Sequence, residues 1–235
     1  MRVSFSPRPN ATYRYAVTVH AETTTTIDGR PPNHRVNDEQ IEARHTVVAA
    51  DRDGVVVDVV LQVPGTPDRT FEVRLDRTGS LAEVQRVERL PASLLGDLGL
   101  AEVFPAAAGA PPDRPLRPGS SWTIDQPVRL PDRAPARLTG RGRLDRLGLS
   151  HGRQLATIES RYRLPVHEQT GDTAIDGVQT TSVSATHDLS DGAVQLVRAT
   201  TTGEFRLTLS PPAGVHAPPL TGQLTVEVRS ETRRR

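Results

Sequence analysis

The sequence predicts an all-β fold, one large curved antiparallel sheet built in two similar halves. Short segments alternate apolar and polar residues with a period of two, which is typical of half-buried strands. Asp- and Gly-containing turn signals separate these segments along most of the chain. Only 35% of the residues are hydrophobic and 3% aromatic, a supply that suits a sheet with a single apolar face.

The first half, residues 11–103, follows a lead-in of ten residues that we expect to be loose. Alternation predicts a first strand from Tyr13 to Ala21, which Thr23 to Thr26 prolong at a sheet edge. The second strand has His45 on the same side as its apolar residues, and the very apolar third is expected to be central. The later strands of this half are predicted over Val36–Ala50, Val55–Val63, Phe71–Leu75 and Leu81–Val87.

The alternation stops near residues 91–102, where the sequence predicts one or two short helices. Leu94, Leu95, Leu98 and Val103 have suitable spacing, and Pro91 stands near the start. A Pro-, Gly- and Ala-rich bridge over residues 104–119 follows. We therefore expect a single domain, residues 1–235, in which this bridge joins the halves 11–103 and 120–232.

The second half resumes the meander with strands of the same kind. Gly140 and Gly142 alternate with arginines and predict a bend or bulge. Ser160 and Tyr162 fall on the inward side of their strand, and Arg233 to Arg235 are expected to form a frayed tail. The strands are predicted over Thr123–Leu130, Arg137–Leu144, Ala156–Leu164, Val178–Leu189, Ala193–Thr202 as continued by Phe205, Leu207 and Leu209, and Leu224–Val228.

Charge and composition exclude several classes of protein. The net charge is +1, which argues against nucleic acid or an anionic membrane as a partner. The absence of cysteine excludes disulfides and thiolate chemistry, and the absence of lysine excludes a P-loop and a Schiff base. We expect no cofactor and no integral membrane segment, since no apolar run reaches the ~20 residues that a spanning helix needs.

The N-terminal residues, MRVSFSPRPN, contain no apolar run, so no signal peptide is predicted. The chain as written is therefore expected in the cytoplasm. If the true N-terminus is missing from it, the cell envelope is the alternative.

One segment resembles a known family. Phe104-Pro105, the Pro-rich stretch after it and Leu116 to Trp122 resemble the "FP…P…vGdsW" segment of bacterial, often actinobacterial, lipoprotein-like proteins of unknown function. An actinobacterial source also agrees with the Arg- and Ala-rich, Lys-free composition. These proteins are similar to the LolA/LppX-like lipoprotein carriers. The resemblance implies a half-open barrel with a helix across its concave face, and carriers of this kind hold acyl chains between sheet and helix.

Two groups of residues are candidates for binding. The first would line an apolar ligand cavity between helix and sheet, or simply fill the core: Leu94, Leu95, Leu98, Val103, Phe104 and Trp122. The second would form an anion-binding face on two neighbouring strands, or a solvated polar face, which we favour: Arg137, Arg141, Arg143, Arg161 and Arg163.

Catalytic and metal motifs are missing from the sequence. No two histidines have the spacing of a metal motif, although His20 and His45 would form a site if they met across adjacent strands. Ser120 and Ser121 follow a glycine but precede a strand, so they are not a nucleophile elbow. We therefore expect a non-catalytic binding module for an apolar or amphipathic, lipid-like ligand. The alternative is a protein-interaction or structural domain with a filled core, which would use a sheet edge or the arginine face.

Overall fold

The computed structural model describes residues 1–3, 5–79, 81–88, 111–128, 136–211 and 218–235. Within these ranges the chain forms β-strands and no helix, and the helix predicted near residues 91–102 lies outside them. The strands are β1 (Thr12–Ile27), β2 (Asn33–Asp51), β3 (Gly54–Gln62), β4 (Arg69–Asp76), β5 (Leu81–Glu88), β6 (Ser121–Val128), β7 (Ala136–Ser150), β8 (Arg153–Thr170), β9 (Thr173–Asp188), β10 (Val194–Leu209) and β11 (Leu220–Arg234).

These strands form one antiparallel sheet in the order β5-β4-β3-β2-β1-β11-β10-β9-β8-β7-β6. Strands that are neighbours in sequence pair in both arms, and the pairing of β1 with β11 joins the two ends of the chain. The edge strands β5 and β6 approach each other, so the sheet curls into a nearly closed barrel. The predicted all-β antiparallel sheet is confirmed.

The core lies on the inner, concave face of this sheet. On β1 the predicted alternation holds, because Tyr13, Val17 and Ala21 are buried while Arg14 and Thr18 are exposed. The same alternation runs through β3, β4 and β8. Each buried Val, Leu or Ile contributes ~1.5–3 kcal/mol, and the core extends around both arms.

Three hairpins at one end of the barrel use the same aspartate turn. Asp51, Asp76 and Asp188 each accept a hydrogen bond from the backbone N–H two residues further on, at 2.8, 2.8 and 3.0 Å. This is the local reason why these segments form turns. We call the end of the barrel that these hairpins define, together with residues 1–11 and 111–120, the closed end.

The N-terminal lead-in covers the closed end, so the prediction that it is loose is wrong. Val3 and Phe5 are buried, and the Phe5 N–H donates to the Arg77 carbonyl at 2.9 Å. Met1 and Leu116 exchange two hydrogen bonds, which bind the lead-in to residues 111–120. Two apolar residues in an irregular segment have no periodicity, so this packing could not be predicted from the sequence.

Two other expectations fail because they depend on the pairing of distant strands. Thr23 to Thr26 do not lie at a sheet edge, since β1 is flanked by β2 and β11. The C-terminal arginines do not fray: β11 continues to Arg234, and the Arg235 N–H donates to the Arg14 carbonyl at 2.9 Å. The chain end is therefore an interior part of the sheet.

Candidate functional site

The candidate site is the inner face of the barrel, whose two arms differ in chemistry. The arm made by β1–β4 is almost entirely apolar, and His45 is the exception among its buried side chains other than tyrosines. The arm made by β6–β11 contains buried hydroxyl groups at Ser160, Thr181, Thr201 and Thr232. The interior is therefore amphipathic, with an apolar wall on one side and a partly polar wall on the other.

Trp122 lies on this polar wall over Gly142. The two residues are direct neighbours between β6 and β7, and Gly142 in turn faces Ser160 of β8. A β-carbon at position 142 would lie 2.5 Å from Cζ2 and Nε1 of Trp122, and closer still to Cε2. Glycine at this position is therefore what allows the indole to lie flat against β7.

The two glycines of β7 pair in regular register, which corrects the predicted bulge. Gly140 faces Tyr162 and Gly142 faces Ser160, whereas the irregularity in this strand lies between Leu144 and Arg146. The glycines provide room for close contacts on the inner face instead.

Besides Arg234 Nη1, which lies 3.6 Å from Asp191 Oδ2, four buried polar atoms on the inner face have no hydrogen-bond partner among the described residues. They are His45 Nε2, Trp122 Nε1, Ser160 Oγ and Thr232 Oγ1. Their residues are between 1% and 8% exposed, so bulk water does not satisfy them. Buried polar groups in folded proteins are nearly always paired, which makes this concentration of unpaired atoms the most informative feature of the interior.

His45 is neutral inside the barrel. Burial lowers its pKa to about 3, since a charged imidazole would lose its hydration. Its ring stacks edge-on against Tyr15 with 5.0 Å between the ring centroids. Among the described residues, the arginine on the inner side of the sheet is Arg234 of β11, which lies at the closed end 3.6 Å from Asp191.

At the closed end, a polar cluster joins the first and last strands. The Arg234 guanidinium lies 4.7 Å above the Tyr13 ring and 3.6 Å from Asp191 Oδ2. The Tyr13 hydroxyl donates to Asp191 at 3.3 Å. Burial and the nearby Asp191 carboxylate raise the pKa of Tyr13 to about 12, so the phenol stays protonated. This cluster holds the chain ends together and is structural.

The five candidate arginines lie on the outer face of β7 and β8. Arg137 is paired with Asp125 through hydrogen bonds of 2.5 and 2.8 Å. Arg141 is the direct cross-strand neighbour of Arg161. Within the described part of the chain, no acidic group pairs with the remaining four arginines, which are Arg141, Arg143, Arg161 and Arg163.

The apolar candidates divide between described and undescribed residues. Trp122 lies on the inner face, as the cavity hypothesis requires, whereas Leu94, Leu95, Leu98, Val103 and Phe104 fall outside the described residues. Whether those five residues line a cavity therefore stays a prediction. The sequence did mark two of the residues that were missed, because Ser160 and His45 are polar residues at inward positions of alternating strands.

His20 and His45 do not meet. His45 is buried opposite Tyr13, whereas His20 lies on the outer face opposite Asp38. His20 hydrogen-bonds Asp38 at 2.7 Å and Glu22 at 3.1 Å, and these carboxylates raise its pKa. The described residues contain no cluster of three or more His, Asp or Glu side chains that would hold a metal ion.

A search of the described ranges also finds no helix with the length and apolar character needed to span a membrane. No protein-family model matches the chain, and no curated protein matches it significantly. The resemblance at residues 104–122 therefore stays a hypothesis, and functional inference depends on the geometry of the barrel.

Proposed function

We propose that the protein is a non-catalytic binding module that holds an apolar or amphipathic, lipid-like ligand inside the curved sheet. One observation supports this most strongly, namely the four unpaired polar atoms on a buried and otherwise largely apolar face. A buried polar group without a partner costs ~1–3 kcal/mol. A ligand with an apolar body and a polar group would offset that cost at one or more of these atoms.

The arrangement supports binding better than catalysis. Ser160 has Gly142 and Val183 as its register neighbours, so no base adjoins it among the described residues. His45 is on the other arm, in β2, which four strands separate from β8 in the sheet order. A serine without a neighbouring base is not an activated nucleophile, but it remains a good hydrogen-bonding group.

The resemblance to lipoprotein carriers leads to the same proposal by an independent route. In carriers of that kind the acyl chains lie between the sheet and a helix. Residues 91–104 would then supply the cover of the ligand, with Leu94, Leu98 and Phe104 facing it. This remains an analogy of fold, so the test must detect a ligand directly.

The test is native mass spectrometry of freshly purified protein, followed by organic extraction. We expect a bound acyl or isoprenoid mass, or uptake of a fluorescent lipid such as cis-parinaric acid or its methyl ester by ligand-free protein. A clean ligand-free mass together with no uptake of either probe would contradict the proposal. Denatured protein serves as the control for non-specific uptake.

A protein-interaction domain with a filled core is the second candidate. The observation that favours it is the outer face of β7 and β8, where Arg141 and Arg161 are neighbours without an acidic partner in the described ranges. Arginine is enriched at protein interfaces. Photo-cross-linkers at positions 141 and 161 would identify a partner at this face, with one at the exposed position 18 of β1, four strands from β8, as control.

A further inference from the structure

The inner face contains a small hydrogen-bonding site at the junction of β6, β7 and β8. Trp122, Gly142 and Ser160 are consecutive neighbours across these three strands. Because Gly142 has no side chain, the indole lies over the backbone between its own strand and Ser160, and residue 142 places no side chain between them. Trp122 is 8% exposed and Ser160 is 7% exposed, so both polar groups belong to the interior.

Both groups lack a partner in the described structure, and both can donate a hydrogen bond. The indole Nε1–H is a donor only, and the serine hydroxyl is a donor that also accepts. Two neighbouring donors suit one oxygen acceptor, such as a carbonyl, ether or hydroxyl oxygen. The hydroxyls of Thr181 and Thr201, one row away, already share a hydrogen bond of 3.0 Å, so unlike Trp122 and Ser160 each has a protein partner.

The surroundings of this site determine which acceptor is favourable. Among the described residues, the arginine on the inner side of the sheet is Arg234 of β11, which is three strands from β8 and lies 3.6 Å from Asp191. The chain has no lysine, and buried His45 is uncharged. A carboxylate or phosphate here would be a buried charge without a counterion, which is much more costly than a buried neutral oxygen. The site therefore discriminates against anions.

We infer that the ligand of the barrel is an uncharged amphiphile whose neutral oxygen accepts hydrogen bonds from Trp122 Nε1–H and Ser160 Oγ–H. This inference rests on the proposed lipid-binding function and narrows it, because esters, alcohols and ketones with long apolar chains fit whereas free fatty acids do not. Trp122 and Ser160 determine the specificity for the head group, and the apolar wall of β1–β4 holds the chain.

The experiment compares three fluorescent probes at pH 9: cis-parinaric methyl ester, cis-parinaric acid, and the hydrocarbon diphenylhexatriene. We expect the ester to bind at least about tenfold more tightly than the ionised acid, because the acid has no counterion. Trp122→Phe, which keeps a ring over Gly142, and Ser160→Ala should each weaken ester binding about 2- to 12-fold, the equivalent of one net hydrogen bond. Binding of diphenylhexatriene should not change in either variant.

Ser182→Ala is the matched control, since Ser182 lies on the exposed face of β9. A second measurement needs no variant. Trp122 is the only tryptophan, so a ¹⁵N spectrum has a single indole N–H signal, which should move downfield with the ester and not with the hydrocarbon. An unmoved signal in the presence of bound ester would overturn the assignment of Trp122.

The outcomes separate this inference from the proposed function. If the acid binds as tightly as the ester, the protein binds lipid but the inference of an uncharged ligand is wrong. If the ester is preferred but neither variant weakens its binding, the neutral site lies elsewhere. If none of the three probes binds, the proposed function itself fails.

Discussion

Replacing Gly142 with alanine tests the packing on which the inner polar site depends. The added β-carbon would lie 2.5 Å from two atoms of the Trp122 indole, well inside van der Waals contact, so the indole must move. Overpacking of this kind costs ~1–3 kcal/mol. For a chain of this size each kcal/mol lowers Tm by ~2–4 °C, so we expect Tm to fall by about 2–12 °C.

The assay is thermal unfolding followed by circular dichroism, together with the emission spectrum of Trp122. We expect the emission to shift to longer wavelength as the indole leaves its buried position. Gly148→Ala is the control on the same strand, because a β-carbon there meets no atom within 4 Å. That change should leave Tm unchanged or raise it slightly, since alanine reduces the entropy of the unfolded chain.

A double variant separates the indole from the backbone as the source of the cost. In the Trp122→Leu background the smaller side chain leaves room, so Gly142→Ala should cost clearly less than in the wild-type protein. An equal cost in both backgrounds, or a Gly142→Ala variant with unchanged Tm and emission, would refute the packing that the structure describes.

Three further predictions concern the closed end, the buried histidine and the outer face. Arg234→Ala should destabilise the protein by ~1–2 kcal/mol through loss of its contacts with an aromatic ring and a carboxylate. Arg233→Ala, at the exposed neighbouring position, should have little effect on Tm, and equal effects would contradict a stabilising role of the polar cluster at the closed end. His45, whose pKa is lowered to about 3, binds a proton more readily when unfolded, so between pH 6.5 and pH 3 it should remove ~1.4 kcal/mol of stability per pH unit. Urea midpoints from pH 7 to pH 4 should therefore fall less steeply in His45→Leu, and parallel slopes would contradict a buried neutral imidazole. Arg141→Glu should raise the free energy of unfolding by ~0.2–1 kcal/mol, because a glutamate would then stand directly across from Arg161. Salt at 1 M should reduce this gain, and a loss of stability at low salt would contradict this register.

The strands were predictable because period-two alternation is local. Between Tyr13 and Ala21 every second side chain faces the core, as the alternation predicts. The Asp-containing turns follow from their own short-range hydrogen bonds. The strand predicted over Ala193–Thr202 and continued by Phe205, Leu207 and Leu209 is the single strand β10, in which the Phe205 ring covers Gly203.

The contacts between distant parts of the chain could not be predicted from the sequence. The pairing of β1 with β11 brings Tyr13 and Arg234 together across almost the whole chain, and no short-range pattern encodes such a register. The unpaired state of Ser160 is non-local for the same reason. Its inward position was predictable, but its lack of a partner depends on which residues β7 and β9 place beside it.

The contrast between Ser160 and the pair Thr181–Thr201 argues that the unpaired atoms are related to function. The two threonines are neighbours in register and share a hydrogen bond of 3.0 Å, so hydroxyls in this interior do pair where the sheet allows it. Ser160 has Gly142 and Val183 beside it, and an alanine there would avoid the cost of an unpaired hydroxyl. A stable core alone does not require this serine or the N–H of the neighbouring Trp122. A ligand oxygen that accepts from both groups would explain why the two are found together.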